Sequence, residues 1–191
     1  MFGLFVNRLP PRFRRRDGDG QSLVEFAIIV PVVLLLLVGI SDLGRLYASA
    51  VAIESAAREA ADYGSFDASY WTPANYLTTV DEMRRRACVA AAGSHLQDYE
   101  TTDPVNHTAC TNPSFTCTLE RNGSTTDCAT SIGATDGVDC WEPGTEPPCT
   151  VHVGMSYQFR LILALPPFPA SIQVDRESYF RISNLQPPPG P

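Results

Sequence analysis

Few side chains in this sequence are placed to do chemistry. Glu25 stands alone at the mouth of sixteen uncharged residues, FAIIVPVVLLLLVGIS from Phe26 to Ser41. Ser22-Leu23-Val24-Glu25 fits a capping box, in which the Ser22 hydroxyl accepts an orphan backbone N–H while Glu25 reaches back and complements the helix dipole. Six cysteines (Cys88, Cys110, Cys117, Cys128, Cys140 and Cys149) form the second group. They contain no C-x-x-C and no zinc-finger spacing, so they read as candidate disulfides rather than metal ligands, with 15 pairings left open.

All 14 basic residues are arginine. A chain without lysine cannot carry a P-loop, a Schiff base or a pyridoxal-phosphate anchor. Neither H-E-x-x-H nor G-x-S-x-G occurs, and the three histidines (His95, His107, His152) are scattered. The expectation is a protein that is no enzyme and uses no cofactor and no metal.

Charge and hydropathy define the elements that must position these groups. Five arginines (Arg8, Arg12, Arg14, Arg15, Arg16) and no acid precede Asp17, so residues 17–191 carry −12 within a net charge of −7. This asymmetry argues against a nucleic-acid binder, which spreads positive charge over its folded face. With Leu23 and Val24 the apolar run reaches the roughly 17–20 residues that a spanning helix needs. Arginine-rich flanks stay cytoplasmic, which predicts an inside N-terminus and an extracytoplasmic C-terminal domain. Every cysteine then falls where disulfides persist. Pro31 lacks an N–H and crowds the carbonyl of Ala27, predicting a kink of a kind that membrane helices tolerate.

Gly20 followed by Glu25 resembles the type IV prepilin pattern, cut after Gly by a membrane aspartyl peptidase on the cytoplasmic side. More narrowly, GQSLVEFAIIVPVVLLLLVGISDLGRLY is similar to the TadE-like family. The residues that carry the likeness are Gly20, Val24, Glu25, Phe26, Ala27, Pro31, Gly39, Asp42, Gly44 and Arg45, and it extends to Gly64. The resemblance implies a minor pseudopilin or membrane component of tight-adherence (Flp) pilus assembly, single-pass in the bacterial inner membrane. It implies as partners a prepilin-type peptidase, other pilins or pseudopilins, pilus-assembly membrane proteins and the lipid bilayer. It also implies cleavage between Gly20 and Gln21. The new α-amino group, with a pKa of about 8, would be largely cationic. An unpaired Glu25 near lipid costs roughly 2.5–3.5 kcal/mol, so a neighbouring subunit's amine is its natural partner.

A competing site is Ala48-Ser49-Ala50, which satisfies the small-x-small rule and would release residues 51–191 as a secreted module. On that alternative the protein is a membrane-tethered or secreted Cys-rich binding module with no pilus role. Asp42 and Arg45, lying between the apolar run and this site, count against it.

The fold expected is α+β: a long N-terminal transmembrane helix continuing into a small disulfide-stapled ectodomain with a C-terminal antiparallel hairpin. A leader over 1–20 precedes the TadE-like helix over 21–64, where Leu43, Leu46, Tyr47, Ala50, Ile53, Ala57, Ala60, Ala61 and Gly64 recur at helical steps. Residues 65–99 hold a second helix, opened by Thr72-Pro73, with Leu77, Val80, Met83, Ala87 and Ala91 on one face. Arg84-Arg85-Arg86 reads as a solvated charged face. Residues 100–150 form a Cys-rich loop insertion, too polar to order by burial, with a strand over Ser114–Arg121 entering a tight turn at Asn122-Gly123. Antiparallel strands occupy 151–185, turned by Leu165-Pro166-Pro167-Phe168-Pro169, with His152 on the solvated face. A Pro-rich tail, 186–191, ends the chain.

Overall fold

The computed structural model describes residues 19–129, 140, 149–164 and 169–183. The arginine leader, most of 130–148, the proline turn and the proline tail lie outside the described residues. The chain divides into two compact units, Met1–Ile40 and Ser41–Pro191.

Helix α1 runs from Asp19 to Ser65 and continues through Pro31. In the first unit its large apolar side chains, Leu23 to Leu37, are exposed. That half is long and apolar enough to cross a membrane. In the second unit the same helix turns to small residues: Ile53, Ala56, Ala57, Ala60 and Ala61 are fully buried. Alanine combines the best helix propensity with little bulk, which suits a buried helix face. Leu43 and Tyr47, expected on this face, are instead 66% and 74% exposed.

A short 3-10 turn, Ala68–Trp71, follows, and helix α2 spans Tyr76–Gly93. The expected start at Thr72-Pro73 moves four residues on because Asp67 accepts the Ser69 N–H at 2.8 Å and starts the tighter turn first. Trp71 is fully buried and donates its indole N–H to the Gly64 carbonyl at 2.7 Å. On α2, Val80, Met83, Ala87 and Ala91 enter the core as their spacing predicts, whereas Leu77 is exposed. The arginine run is half-exposed but tied down: Arg85 and Arg86 share Glu82 at 2.6 and 3.0 Å, and Arg86 also reaches Glu59 on α1 at 3.2 Å and covers the Tyr63 ring.

Among the described residues the unit also has six strands: β1 (Glu100–Thr101), β2 (Cys110–Asn112), β3 (Ser114–Arg121), β4 (Ser124–Asp127), β5 (Thr150–Arg160) and β6 (Ser171–Arg181). β1 pairs with β2, and the other four form an antiparallel sheet in the order β4-β3-β5-β6. Val151, Val153, Met155, Tyr157 and Phe159 alternate inward along β5 and join α1 and α2 in one core. The opposite face is polar. His152 there is half-buried rather than freely solvated, with Nε2 3.0 Å from Glu120 Oε2 and its ring stacked on Tyr179.

Asn122 and Gly123 both adopt positive φ, the conformation that a two-residue hairpin turn requires. The hairpin does more than cap a loop, because β3 sits between β4 and β5. Part of the polar 100–150 stretch is thus woven into the sheet. Covalent order is added by Cys88–Cys110, which ties α2 to β2, by Cys117–Cys128, and by Cys140–Cys149. Closing the first two loops contributes about 3 kcal/mol each in the chain-entropy account.

Candidate functional site

Gly20 and Gln21 occupy the first turn of α1, and both are exposed. Helix N–H groups in that turn have no intrahelical acceptors, so opening it to a peptidase breaks few hydrogen bonds. Because the helix starts at Asp19, Ser22 is already inside it, and the capping box read from Ser22 and Glu25 is not formed. Glu25 instead accepts the Gln21 side-chain amide at 3.2 Å across one helical turn. Its carboxylate is exposed on an otherwise apolar helix face. Pro31 is exposed within the helix, six residues further on.

The second polar group of the helix is of the opposite kind. Asp42, the residue that ends the uncharged run, is only 6% exposed. Its Oδ1 receives Arg45 at 2.9 Å, and its two oxygens accept the backbone N–H of Ile162 at 3.3 and 3.1 Å. The Arg45 guanidinium in turn lies 5.1 Å over the Phe159 ring. Two helix residues thereby hold the end of β5, 120 positions away in sequence. A hydrogen bond to a charged group is worth about 1.5–3 kcal/mol net, so this contact is a main anchor between α1 and the sheet.

At the other end of the helix, Ser183 donates its N–H to the Ser65 carbonyl at 2.9 Å and its hydroxyl to Phe66 at 2.8 Å. These bonds satisfy carbonyls that a helix C-terminus leaves open. Gly64 is forced by packing, since a Cβ there would lie 2.7 Å from the Met83 sulfur and 3.3 Å from the Trp71 ring. By contrast, a Cβ at Gly20, Gly39 or Gly44 would meet nothing within 4 Å.

An open polar groove of about 290 Å³ crosses the outer face of the sheet beside Asn112, Ser156 and Gln173. Its side chains bond one another: Asn112 donates to the Asp98 carbonyl at 2.6 Å and accepts the Gln158 N–H at 2.9 Å, and Gln173 donates to Ser156 at 2.9 Å. The groove therefore ties β2 to β5 and β5 to β6.

Residues 20–62 match the family model described as TadE-like protein. The N-terminal helix is a TadE-like segment. No curated protein and no solved structure matches the chain. The TadE-like segment begins at Gly20 and runs through Glu25, Pro31, Asp42 and Arg45 into the buried alanines, ending just before Gly64. It supports a role associated with the tight-adherence pilus. The strands and all six cysteines lie beyond it.

Sequence reasoning placed Asp42 and Arg45 in the motif without seeing what they do. The partner of Asp42 is a main-chain N–H, and no residue type announces one. The only signal was an acid standing directly after an apolar run.

Proposed function

We propose that the chain is a minor pseudopilin or membrane component of tight-adherence pilus assembly, processed between Gly20 and Gln21 and paired with its neighbours through Glu25. One observation carries the reading: the TadE-like segment opens on an exposed glutamate whose partner among the described residues is the neutral amide of Gln21. A carboxylate on the apolar half of a helix calls for a cation. Cleavage would create one in the same turn, at the α-amino group of Gln21. Pairing with the amine of an adjacent subunit would set neighbouring helices in axial register and make assembly wait for processing.

The leader's arginines support an N-terminus on the cytoplasmic side, and three disulfides suit an extracytoplasmic C-terminal unit. A bacterial inner-membrane location follows from that reading, with a prepilin-type peptidase and other pilins as partners. Release at Ala48-Ser49-Ala50 is disfavoured by position. Ser49 and Ala50 are buried in the middle of α1, where a peptidase would have to unpack the core to reach an extended strand.

The test is Glu25→Gln beside Glu25→Ala, at matched expression, scored by recovery of pilus components with the variant. Glutamine keeps the shape and hydrogen bonding but deletes the charge. Both variants should be processed normally, and both should lose their partners. Wild-type recovery with the glutamine form overturns charge pairing.

A further inference from the structure

The contact between Asp42 and Ile162 places an apolar loop at a particular height on α1. Ser41 is the last residue of the uncharged run, and Asp42 follows it. The Ile162 backbone lies within hydrogen-bonding distance of that carboxylate, at 3.1 Å. Ile162 thus lies beside the residue at which the uncharged run of α1 ends. Its side chain is 60% exposed, and Leu163 beside it is 37% exposed. Leu43 and Tyr47, on the adjoining turns of α1, are also exposed. None of these four side chains belongs to the core cluster.

We propose that Ile162 and Leu163 insert into the interfacial layer of the leaflet from which α1 emerges, giving the C-terminal unit a second lipid contact held in place by Asp42. The proposal rests on the reading of α1 as a spanning helix. Three observations select lipid as the occupant. The chain carries no charge from Leu161 to Ala170, whereas the strands on either side are rich in polar residues. Arg160, at the end of β5, is exposed, and a cationic side chain beside the uncharged stretch suits lipid phosphates. Tyr47 adds an aromatic ring of the kind that collects at membrane interfaces. A second copy of the chain would have to seat itself at the same level against lipid that is already there.

Asp42 is then a positioning residue. It satisfies the Ile162 N–H as the chain leaves β5, so the loop enters the interface without carrying an orphan donor. Two anchoring points, α1 and this loop, would restrict rotation of the C-terminal unit about the helix axis and present one side of it to neighbouring subunits.

The experiment uses the full chain in phosphatidylethanolamine–phosphatidylglycerol vesicles, with the three native disulfides confirmed by mass. A nitrobenzoxadiazole fluorophore is placed on a cysteine introduced at Ile162, at Leu36 in the apolar run, or at Ser124 in the hairpin at the opposite end of the sheet. Nitroxide-labelled lipids then report depth. The fluorophore at 162 should be quenched at least half as strongly as that at 36, more by a shallow nitroxide than by a deep one, with none at 124. Asp42→Ala should reduce quenching at 162 by twofold or more, whereas Asp42→Asn, which keeps an acceptor, should reduce it less. Quenching at 36 but not at 162 overturns the proposal and leaves the spanning helix standing. Absence of quenching at 36 overturns both. A blue-shifted but unquenched signal at 162 that rises with protein density assigns these side chains to a second copy instead. Leu163→Cys repeats the measurement should a label at 162 disturb the fold.

Discussion

The two halves of α1 are continuous in backbone and opposite in packing logic. From Leu23 to Leu37 most side chains are large, apolar and exposed, and among the described residues nothing in the first unit covers them. From Ile53 to Ala61 the inward residues are mostly alanine and fully buried against the sheet and α2. Bulk suits a helix whose surroundings are fluid, while smallness suits one that must meet a rigid neighbour at close range. The polar residues follow the same division. Among the described residues Glu25 is exposed with only a neutral partner, whereas Asp42 is buried with both a cation and a backbone donor. On the proposed function, the N-terminal half keeps its polar group for other subunits, while the C-terminal half uses its own in the fold.

This division is broken most easily by truncation. Met83, fully buried between α1 and the sheet, should cost about 2–5 kcal/mol as Met83→Ala, read as a lowered melting temperature by near-ultraviolet circular dichroism in detergent. Leu36→Ala should leave that transition where it is. Equal shifts from the two would show that the halves share one cooperative core.

Glycine substitutions sharpen the same contrast at smaller magnitude. Gly64→Ala drives a methyl into the Met83 thioether and should cost about 1–3 kcal/mol, part of which Met83→Ala in the same chain should return. Gly39→Ala meets open space and should not lower the transition, since alanine favours the helix by roughly 0.5–1 kcal/mol.

The smallest effect concerns acid. Hydrogen bonds from Arg85, then Arg86, hold the Glu82 carboxyl below its ordinary 4.5 against the opposing effect of burial. The unfolded chain therefore binds the proton more readily. Stability from this group is complete above the unfolded value and is lost as pH falls through the lower folded one. Glu82→Gln should flatten the acid side of the stability profile by less than about 1 kcal/mol, because the cluster is partly exposed and screened. An unchanged acid limb would mean that the arginines do not couple to folding.

What was legible in the sequence was whatever rests on local pattern. Alternation from Val151 to Phe159 announced β5, Asn122-Gly123 announced the turn between β3 and β4, and the apolar run announced the membrane-length helix. Gly20 and Glu25 were singled out by their spacing, and both lie exposed near the start of α1. What escaped depends in part on distant main chain: the hold of Asp42 on Ile162 and the closure of Ser65 by Ser183. Two misses were local: a second helix that begins only after the turn capped by Asp67, and the capping box at Ser22, which already lies inside α1. Cysteine spacing likewise could not choose among 15 pairings, whereas the fold joins each cysteine to its neighbour in sequence.

The central claim, a TadE-like helix activated by removal of its leader, is tested most directly by the mass and first residue of the mature protein purified from its native cell. The account predicts a chain of residues 21–191 that begins at Gln21 with a free amine. A chain that retains its leader, or one that begins at Val51, would contradict it.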